Sequence, residues 1–273
     1  MQTAISLWLE RTFASKAYHG IAQRLLHELF VFTVKNALSC VFPMFIFAML
    51  FLTQNYASDL LPRYDLLFIV CLLMQIVMVA TRLETRDELK VICLFHALGL
   101  MMEIFKVHHG FWSYPSFAYT RFFGVPLFSG FMYASVASFI TQSWRYFRTE
   151  VHSWPRPLLS RLLGTAIYLN FFTNAYMMDI RWILIPLLFM CFWKTRVSFT
   201  TTQRRSMPIT LSFLLICFFI WIAENIATFL HAWEYTHQKN GWSVVHLSIL
   251  SSWFLLVIVS FILVTELKRM KER

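Results

Sequence analysis

Long apolar runs separated by short polar segments recur along the whole chain. Each run approaches the roughly 20 helical residues that cross a bilayer core of about 30 Å. No ten-residue alternation of apolar and polar positions is present, as a membrane β-strand would require, and helices satisfy their own backbone polar groups in lipid. The pattern predicts an all-α polytopic transmembrane bundle of eight spans, near 37–54, 65–82, 89–107, 124–143, 159–178, 180–198, 208–231 and 243–266.

Basic residues collect in alternate connecting segments, and this gives the orientation. With the N-terminus inside, nineteen of the 24 Lys and Arg residues fall in cytoplasmic pieces. The outer pieces hold Arg63, Lys106, Arg121, Arg181 and Lys239. Because positive charge is enriched in short cytoplasmic loops, we expect both termini in the cytoplasm and a multi-pass protein of the cell membrane. The net charge of +10 is then a signal of topology and implies no nucleic-acid partner.

The chain divides into one bundle with a short segment at each end. We predict a cytoplasmic or interfacial amphipathic segment over 1–36, a transmembrane helical bundle over 37–267 and a basic cytoplasmic tail over 268–273. Apolar positions such as Ile21 and Leu25 recur near helical spacing and favour a helix on the cytoplasmic membrane surface. A cytosolic extension of the first span is the alternative. No internal repeat stands out.

Composition agrees with a membrane protein. Apolar residues form 58% of the chain and charged residues 14%, against roughly 45–50% and about 25% in soluble domains. This excludes collagen, a coiled coil and a secreted disulfide scaffold. The five cysteines lie within apolar runs without a Cys-x-x-Cys pair, so we expect buried thiols. No nucleotide-binding glycine motif and no His-Glu-x-x-His occurs, so no specific motif indicates a cofactor.

Polar side chains enter the outer halves of four predicted spans. Such groups are costly in lipid and face a cavity or one another. The carboxylates Glu103 and Glu224 are the candidate catalytic residues. The candidate substrate-binding residues are Trp112, Tyr114, Phe131, Tyr133, Asn170, Asn174, Asn225 and His246. Their convergence predicts a polar cavity toward the outer leaflet, whereas a helix-to-helix hydrogen bond is the alternative for any single residue.

The expected partners of the two carboxylates differ. Lys106 follows Glu103 at i+3 and is within pairing distance on a helix. Glu224 has no basic residue within a turn, which leaves a histidine of another span, His246 or His96. A further candidate polar or metal cluster consists of His108, His109 and His231. Because adjacent side chains on a helix diverge, a metal there requires tertiary convergence, and interfacial solvation is the alternative.

Residues 103–134 carry the densest pattern of Gly, Pro and aromatic residues. Glu103-x4-His108-His109-Gly110-x-Trp112-x-Tyr114 precedes residues 123–134, Phe-Gly-Val-Pro-Leu-Phe-Ser-Gly-Phe-Met-Tyr-Ala. The loop suits a lid over an outer cavity, and Gly130 suits a close helix approach. The pattern resembles the YoaT-like family of uncharacterised bacterial multipass membrane proteins, which implies an integral membrane protein without an assigned activity. In the order of these features alone, it is also similar to membrane carotenoid hydratases and lycopene cyclases.

Three functions remain open. The first is a membrane-embedded enzyme that acts on an isoprenoid or lipid-like substrate by acid chemistry, with Glu103 as the acid or carbocation stabiliser and Glu224 as the second carboxylate. The second is a small-molecule or proton-coupled transporter or binding protein that uses the same carboxylates. In the third, the polar groups only hold the bundle together. The expected partners are the lipid bilayer and an apolar small molecule, and the oligomeric state stays open.

Overall fold

The computed structural model describes residues 20–56 and 60–271, and their side chains as far as residue 265. The helices of this part are α1 (Ile21–Ser39), α2 (Val41–Leu52), α3 (Arg63–Ala80), α4 (Arg86–His108), α5 (Ser129–Tyr146), α6 (Pro157–Thr173), α7 (Arg181–Cys191), α8 (Ile209–Phe229) and α9 (Ser248–Lys271). A short 3-10 helix covers Thr236–Gln238. Residues 1–19 of the predicted 1–36 segment lie outside the description, as do the last two residues of the predicted tail.

Short strands join the helix ends, which the all-helical prediction did not include. They are β1 (Trp112–Ser113), β2 (Arg121–Phe122), β3 (Val125–Pro126), β4 (Glu150–His152), β5 (Arg196–Thr200), β6 (Arg204–Pro208) and β7 (Glu234–Tyr235). All pairs are antiparallel: β1 with β7, β2 with β3, and β5 between β4 and β6.

Within the described residues, four helices are long and apolar enough to cross a membrane: α3, α4, α8 and α9. The bent pair of α1 and α2 gives a fifth candidate. These helices indicate a membrane protein. α5 is less apolar than a lipid-facing helix because it packs against α1, α2, α4 and α9, and protein neighbours surround its small side chains such as Ser138 and Ala134.

Two predicted spans differ from the helices observed. The 37–54 span is broken at Cys40, where α1 and α2 meet at 68°. Pro43 explains the break, because it has no N–H to donate to the carbonyl of Ser39. The 180–198 span is helical only over Arg181–Cys191, since the β-branched and aromatic run that follows pairs as β5 instead.

Local sequence sets the start of the helix that carries the first carboxylate. Thr85 and Glu88 form a capping box at the N-terminus of α4, as the Thr-x-x-Glu spacing allows. α4 then packs closely on α5. A Cβ at Gly99 would lie 2.2 Å from Cγ of Tyr133, and one at Gly130 would lie 2.6 Å from the His96 ring. The close approach predicted at Gly130 is therefore confirmed.

Candidate functional site

Glu103 lies near the C-terminal end of α4 and is 3% exposed. Its Oε2 accepts hydrogen bonds from the indole Nε1 of Trp112 and from the hydroxyl of Tyr114, both at 2.7 Å. Its Oε1 accepts from the hydroxyl of Tyr133 on α5 at 2.6 Å. Two of the three donors come from the loop that follows α4, so this loop is fastened back onto the helix.

Glu224 occupies a similar position on α8 and is 6% exposed. Its Oε2 accepts a hydrogen bond from the hydroxyl of Tyr235 at 2.6 Å, and its Oε1 accepts from Nε1 of Trp253 at 2.9 Å. Tyr235 belongs to the loop after α8 and Trp253 to α9. Each carboxylate thus holds both the loop that follows its own helix and the helix beyond that loop.

The two groups form one cluster. Strands β1 and β7 pair so that Trp112 faces Tyr235, and the centroids of their rings are 6.0 Å apart. The rings of Tyr133 and Trp253 are 6.1 Å apart. Glu103 and Glu224 are also near enough to interact electrostatically. We name the cluster the dicarboxylate site; its members are Glu103, Trp112, Tyr114, Tyr133, Glu224, Tyr235 and Trp253.

The loop tyrosines act as hydrogen-bond donors in this site. Burial, followed by the charge of Glu103, raises the pKa of Tyr114 well above its ordinary value. Burial and the charge of Glu224 do the same to the pKa of Tyr235. Both side chains therefore keep their phenolic protons near neutral pH and can stabilise an acidic neighbour.

An apolar groove of about 400 Å³ lies between α8 and the loop before α9. Its lining residues are Trp221, Ile222, Asn225, Ile226, Phe229, Trp242 and Val244. Asn225 is the one amide among them, and its Nδ2 donates to the carbonyl of Trp221 while its Oδ1 accepts from the amide of Val245. The groove therefore presents hydrocarbon to anything that enters it.

Comparison with known proteins assigns this arrangement to a family. Residues 28–261 match a family described as "Protein of unknown function (DUF817)". The chain belongs to this family. It is also 55% identical over 251 residues to "Uncharacterized protein YoaT" of Bacillus subtilis (strain 168), covering 92% of this chain and 95% of that protein. The resemblance to a YoaT-like family is thereby confirmed. No solved structure matches the chain.

In this DUF817 protein, the partners expected for the two carboxylates were wrong. Lys106 does not pair with Glu103. Its Nζ donates to Oδ1 of Asn174 at 2.7 Å and lies 4.0 Å from the ring centroid of Phe111. A long lysine side chain at the helix end can turn away from its own helix, and the indole of Trp112 in the following loop donates to Glu103 instead. Glu224 takes its hydrogen bonds from Tyr235 and Trp253 rather than from a histidine.

The remaining predicted binding residues divide between the site and other contacts. Trp112, Tyr114 and Tyr133 contact Glu103 directly, whereas the other five candidates have different neighbours. Phe131 packs on Phe42, Phe68 and His96; Asn170 binds Asp179 and the amide of Ile180; Asn174 binds Lys106; Asn225 holds the loop backbone; and His246 lies 4.6 Å from the ring of His237. The structure does not gather these five around either carboxylate.

The candidate histidine cluster is not assembled. Among the residues that the structure describes, no three His, Cys, Asp or Glu side chains are placed to hold a metal ion. His109 contacts the carbonyl of Phe105 and the hydroxyl of Tyr176, both at 2.8 Å. His231 ends α8 with a φ of 54°, and its carbonyl accepts from Nη1 of Arg63 at 3.0 Å. The chain therefore uses His231 as a helix terminus.

Sequence reasoning missed Tyr235, Trp253 and Arg63. Arg63 was counted only as an outer basic residue. Its Nη2 donates to the carbonyls of Leu50 and Leu230 at 3.1 and 2.8 Å, so that one guanidinium closes the C-terminal ends of α2 and α8. A signal for Tyr235 was present in the spacing Glu-x8-Trp-x-Tyr, which occurs twice: at Glu103, Trp112 and Tyr114, and again at Glu224, Trp233 and Tyr235.

Proposed function

We propose that this DUF817 protein is a multi-pass protein of the cell membrane that exchanges protons at the dicarboxylate site and couples the exchange to the movement of a small molecule. The observation that carries the proposal is the donor set of Glu103 and Glu224. Every hydrogen bond to them within the described residues comes from a neutral phenol or indole. Two buried carboxylates without a cation require protons or an external cation, because an uncompensated buried charge costs several kcal/mol.

The proposed topology keeps the eight spans with both termini in the cytoplasm, which puts the dicarboxylate site toward the outer face. The distribution of basic residues supports this orientation. A cysteine introduced by Lys239→Cys should react with an impermeant maleimide from outside, while Arg204→Cys should not. The opposite labelling pattern would reverse the membrane orientation and move the site to the cytoplasmic side.

A second candidate is acid chemistry on an isoprenoid or lipid-like substrate. The groove beside α8 favours it, because its hydrocarbon lining adjoins the helix that carries Glu224. Protonated Glu224 would serve as a general acid toward a substrate that reached it from this groove. The two candidates differ in the fate of the substrate, since a transporter releases it unchanged and an enzyme alters its mass.

Infrared spectroscopy of the purified protein tests proton exchange directly. The wild-type protein should show a protonated carboxyl band that disappears as pH is raised, and Glu103→Gln and Glu224→Gln should each remove part of it. Glu84→Gln is the comparison variant, because Glu84 is a buried carboxyl outside the site: it should remove its own component of the band and leave the components that Glu103→Gln and Glu224→Gln remove. If neither site variant changes the titrating band, the dicarboxylate site does not exchange protons.

A functional pair also has a distinct mutational signature. Glu103→Gln and Glu224→Gln should keep expression and melting temperature near wild type but abolish proton-linked uptake of the small molecule by proteoliposomes. The uptake by the double variant should be no lower than that by either single variant. A sharp fall in melting temperature, with residual activity proportional to folded protein, would favour a purely structural role. Mass spectrometry of incubated isoprenoid lipids tests the enzyme candidate in the same preparations.

A further inference from the structure

A repeat runs through the whole bundle, although none stood out from the sequence by itself. The Glu-x8-Trp-x-Tyr motif recurs after 121 residues, at Glu103 and Glu224. A second motif, Phe-x-Thr-x2-Tyr-x2-Asp, begins at Phe51 and recurs after 120 residues at Phe171. The tripeptide Ser-Phe-Ile begins at Ser138 and recurs after 122 residues at Ser260. All three intervals agree to within two residues, so the motifs belong to one long repeat.

The helices repeat in the same register. α2, α3, α4 and α5 correspond in order to α6, α7, α8 and α9, and α4 and α8 end at His108 and Phe229, again 121 residues apart. The packing repeats as well: α2 packs on α3 and α5 as α6 packs on α7 and α9, and α4 packs on α5 as α8 packs on α9. Each copy is therefore a four-helix unit, with α1 preceding the first.

The two copies meet where their loops pair. The β1–β7 ribbon places Trp112 opposite Tyr235 and Ser113 opposite Glu234. Equivalent Trp-x-Tyr segments thus run antiparallel in a register that a two-fold rotation leaves unchanged. α5 and α9, which are equivalent helices, also contact each other. Tyr133 of α5 and Trp253 of α9, 120 residues apart, donate to the carboxylate of their own copy, and the copies differ in that the first carboxylate has an additional donor in Trp112.

We propose that the chain is a tandem repeat of a four-helix unit with a two-fold axis along the membrane normal, and that the β1–β7 ribbon on this axis is the outer gate of the path between the copies. The inference rests on the proposed transport function and specifies how access to its site is controlled. An even number of helices in each copy gives both copies the same orientation, which is the arrangement of parallel repeats in transporters whose sites lie at the repeat interface.

The contacts of the ribbon explain why it opens as one element. Trp112 and the adjoining Tyr114 fasten β1 to Glu103, and Tyr235 fastens β7 to Glu224, so each strand is anchored to the carboxylate of its own copy. Across the ribbon, the hydroxyl of Ser113 donates to Oε1 of Glu234 at 3.1 Å, and that of Thr236 donates to the carbonyl of Gly110 at 3.2 Å. Release of either anchor therefore loosens a strand that the other copy needs as its partner.

Labelling of cysteine reporters across the axis tests the gate. The reporters are Ala118→Cys in the first copy and Ala232→Cys in the second, each introduced alone after the five native cysteines are replaced by alanine. Both alanines are buried, at 4% and 0% exposure. Tyr114→Phe should raise the maleimide labelling rate at position 232, and Tyr235→Phe should raise it at position 118. We expect about tenfold in each case, which corresponds to about 1.4 kcal/mol.

The control is Tyr146→Phe, which removes the hydroxyl of a buried tyrosine at the other end of α5 and should leave both rates unchanged. Ser113→Ala is a milder second variant, which leaves both carboxylate anchors in place and should raise both rates by a smaller factor. If each phenol substitution affects only the reporter of its own copy, or neither reporter, the gate is refuted. If a phenol substitution in one copy raises labelling in the other copy, but the protein shows no titrating carboxyl band, only proton exchange is refuted.

Discussion

Gly99 sets the position of Tyr133, and replacing it tests whether the α4–α5 contact holds the first carboxylate in place. The Cβ of Gly99→Ala would lie 2.2, 2.4 and 2.5 Å from Cγ, Cδ2 and Cβ of Tyr133. These atoms include Cβ, which stays in place when the side chain changes rotamer, so a rotamer change alone does not relieve the clash. The helices must separate, or the ring must leave the 2.6 Å hydrogen bond between its hydroxyl and Glu103.

The expected cost follows from three contributions. Overpacking a close contact costs about 1–3 kcal/mol, and leaving a buried polar group without its hydrogen bond costs about 1–3 kcal/mol. Alanine regains about 1 kcal/mol over glycine in a helix. We therefore expect Gly99→Ala to lower the free energy of unfolding by about 1–5 kcal/mol. Thermal unfolding in detergent, followed by tryptophan fluorescence, measures the change.

Gly164→Ala provides a matched control on α6. Its Cβ would lie 3.3 Å from Cδ1 of Ile262, the flexible end of a side chain, so we expect a change within about 1 kcal/mol in either direction. In a Tyr133→Ala background, the cost of Gly99→Ala should fall to the level of this control, because the clashing ring is gone. Equal effects of Gly99→Ala and Gly164→Ala in the wild-type background would refute the reasoning.

Two further predictions concern buried charged groups outside the dicarboxylate site. Arg63→Gln should lower the free energy of unfolding by about 2–4 kcal/mol, because the carbonyls at two helix ends lose a charged donor, whereas Arg86→Gln, at an exposed position, should have little effect in the same melts. Burial raises the pKa of Glu84, although hydrogen bonds from Ser138 and Gln75 oppose the shift. The stabilisation of the folded state by protonated Glu84 is then complete below the ordinary glutamate pKa of about 4.3. It is lost as the pH rises through the raised pKa of Glu84 in the folded protein. Melting temperatures measured across this range should fall more steeply for the wild-type protein than for Glu84→Gln, and parallel curves would contradict the prediction.

The positions of Glu103 and Glu224 were predictable because a carboxylate in an apolar span has few structural uses. Their partners were not predictable from local spacing. Lys106 is one turn from Glu103, but the loop gives Glu103 an indole and a phenol and α5 gives it a second phenol. Lys106 donates instead to Asn174, which directly follows α6. Neighbours along one helix are fixed by periodicity, whereas contacts between helices depend on how loops return across the bundle.

The helices were predictable because positions along one helix follow its periodicity. The prediction failed where a proline or strand pairing ended a helix. α4 and α8 fall close to their predicted spans. α7 is short because the residues after Cys191 form β5, a choice decided by strand partners that are distant in sequence. The repeat was hidden because only scattered positions match between the copies, and these became informative once the β1–β7 register showed that Trp112 and Tyr235 are opposed.

The guanidinium of Arg63 also has a consequence for biosynthesis. It begins α3, yet two of its acceptors, the carbonyls of Leu230 and His231, come 167 and 168 residues later. At a synthesis rate of about 5–20 residues per second, the ribosome needs roughly 10–30 s to supply them. During that interval the arginine has only the acceptors at the end of α2. The corner between α2 and α3 therefore stays incomplete until α8 has been made, and an insertase that shields it would have to hold the nascent chain for that long.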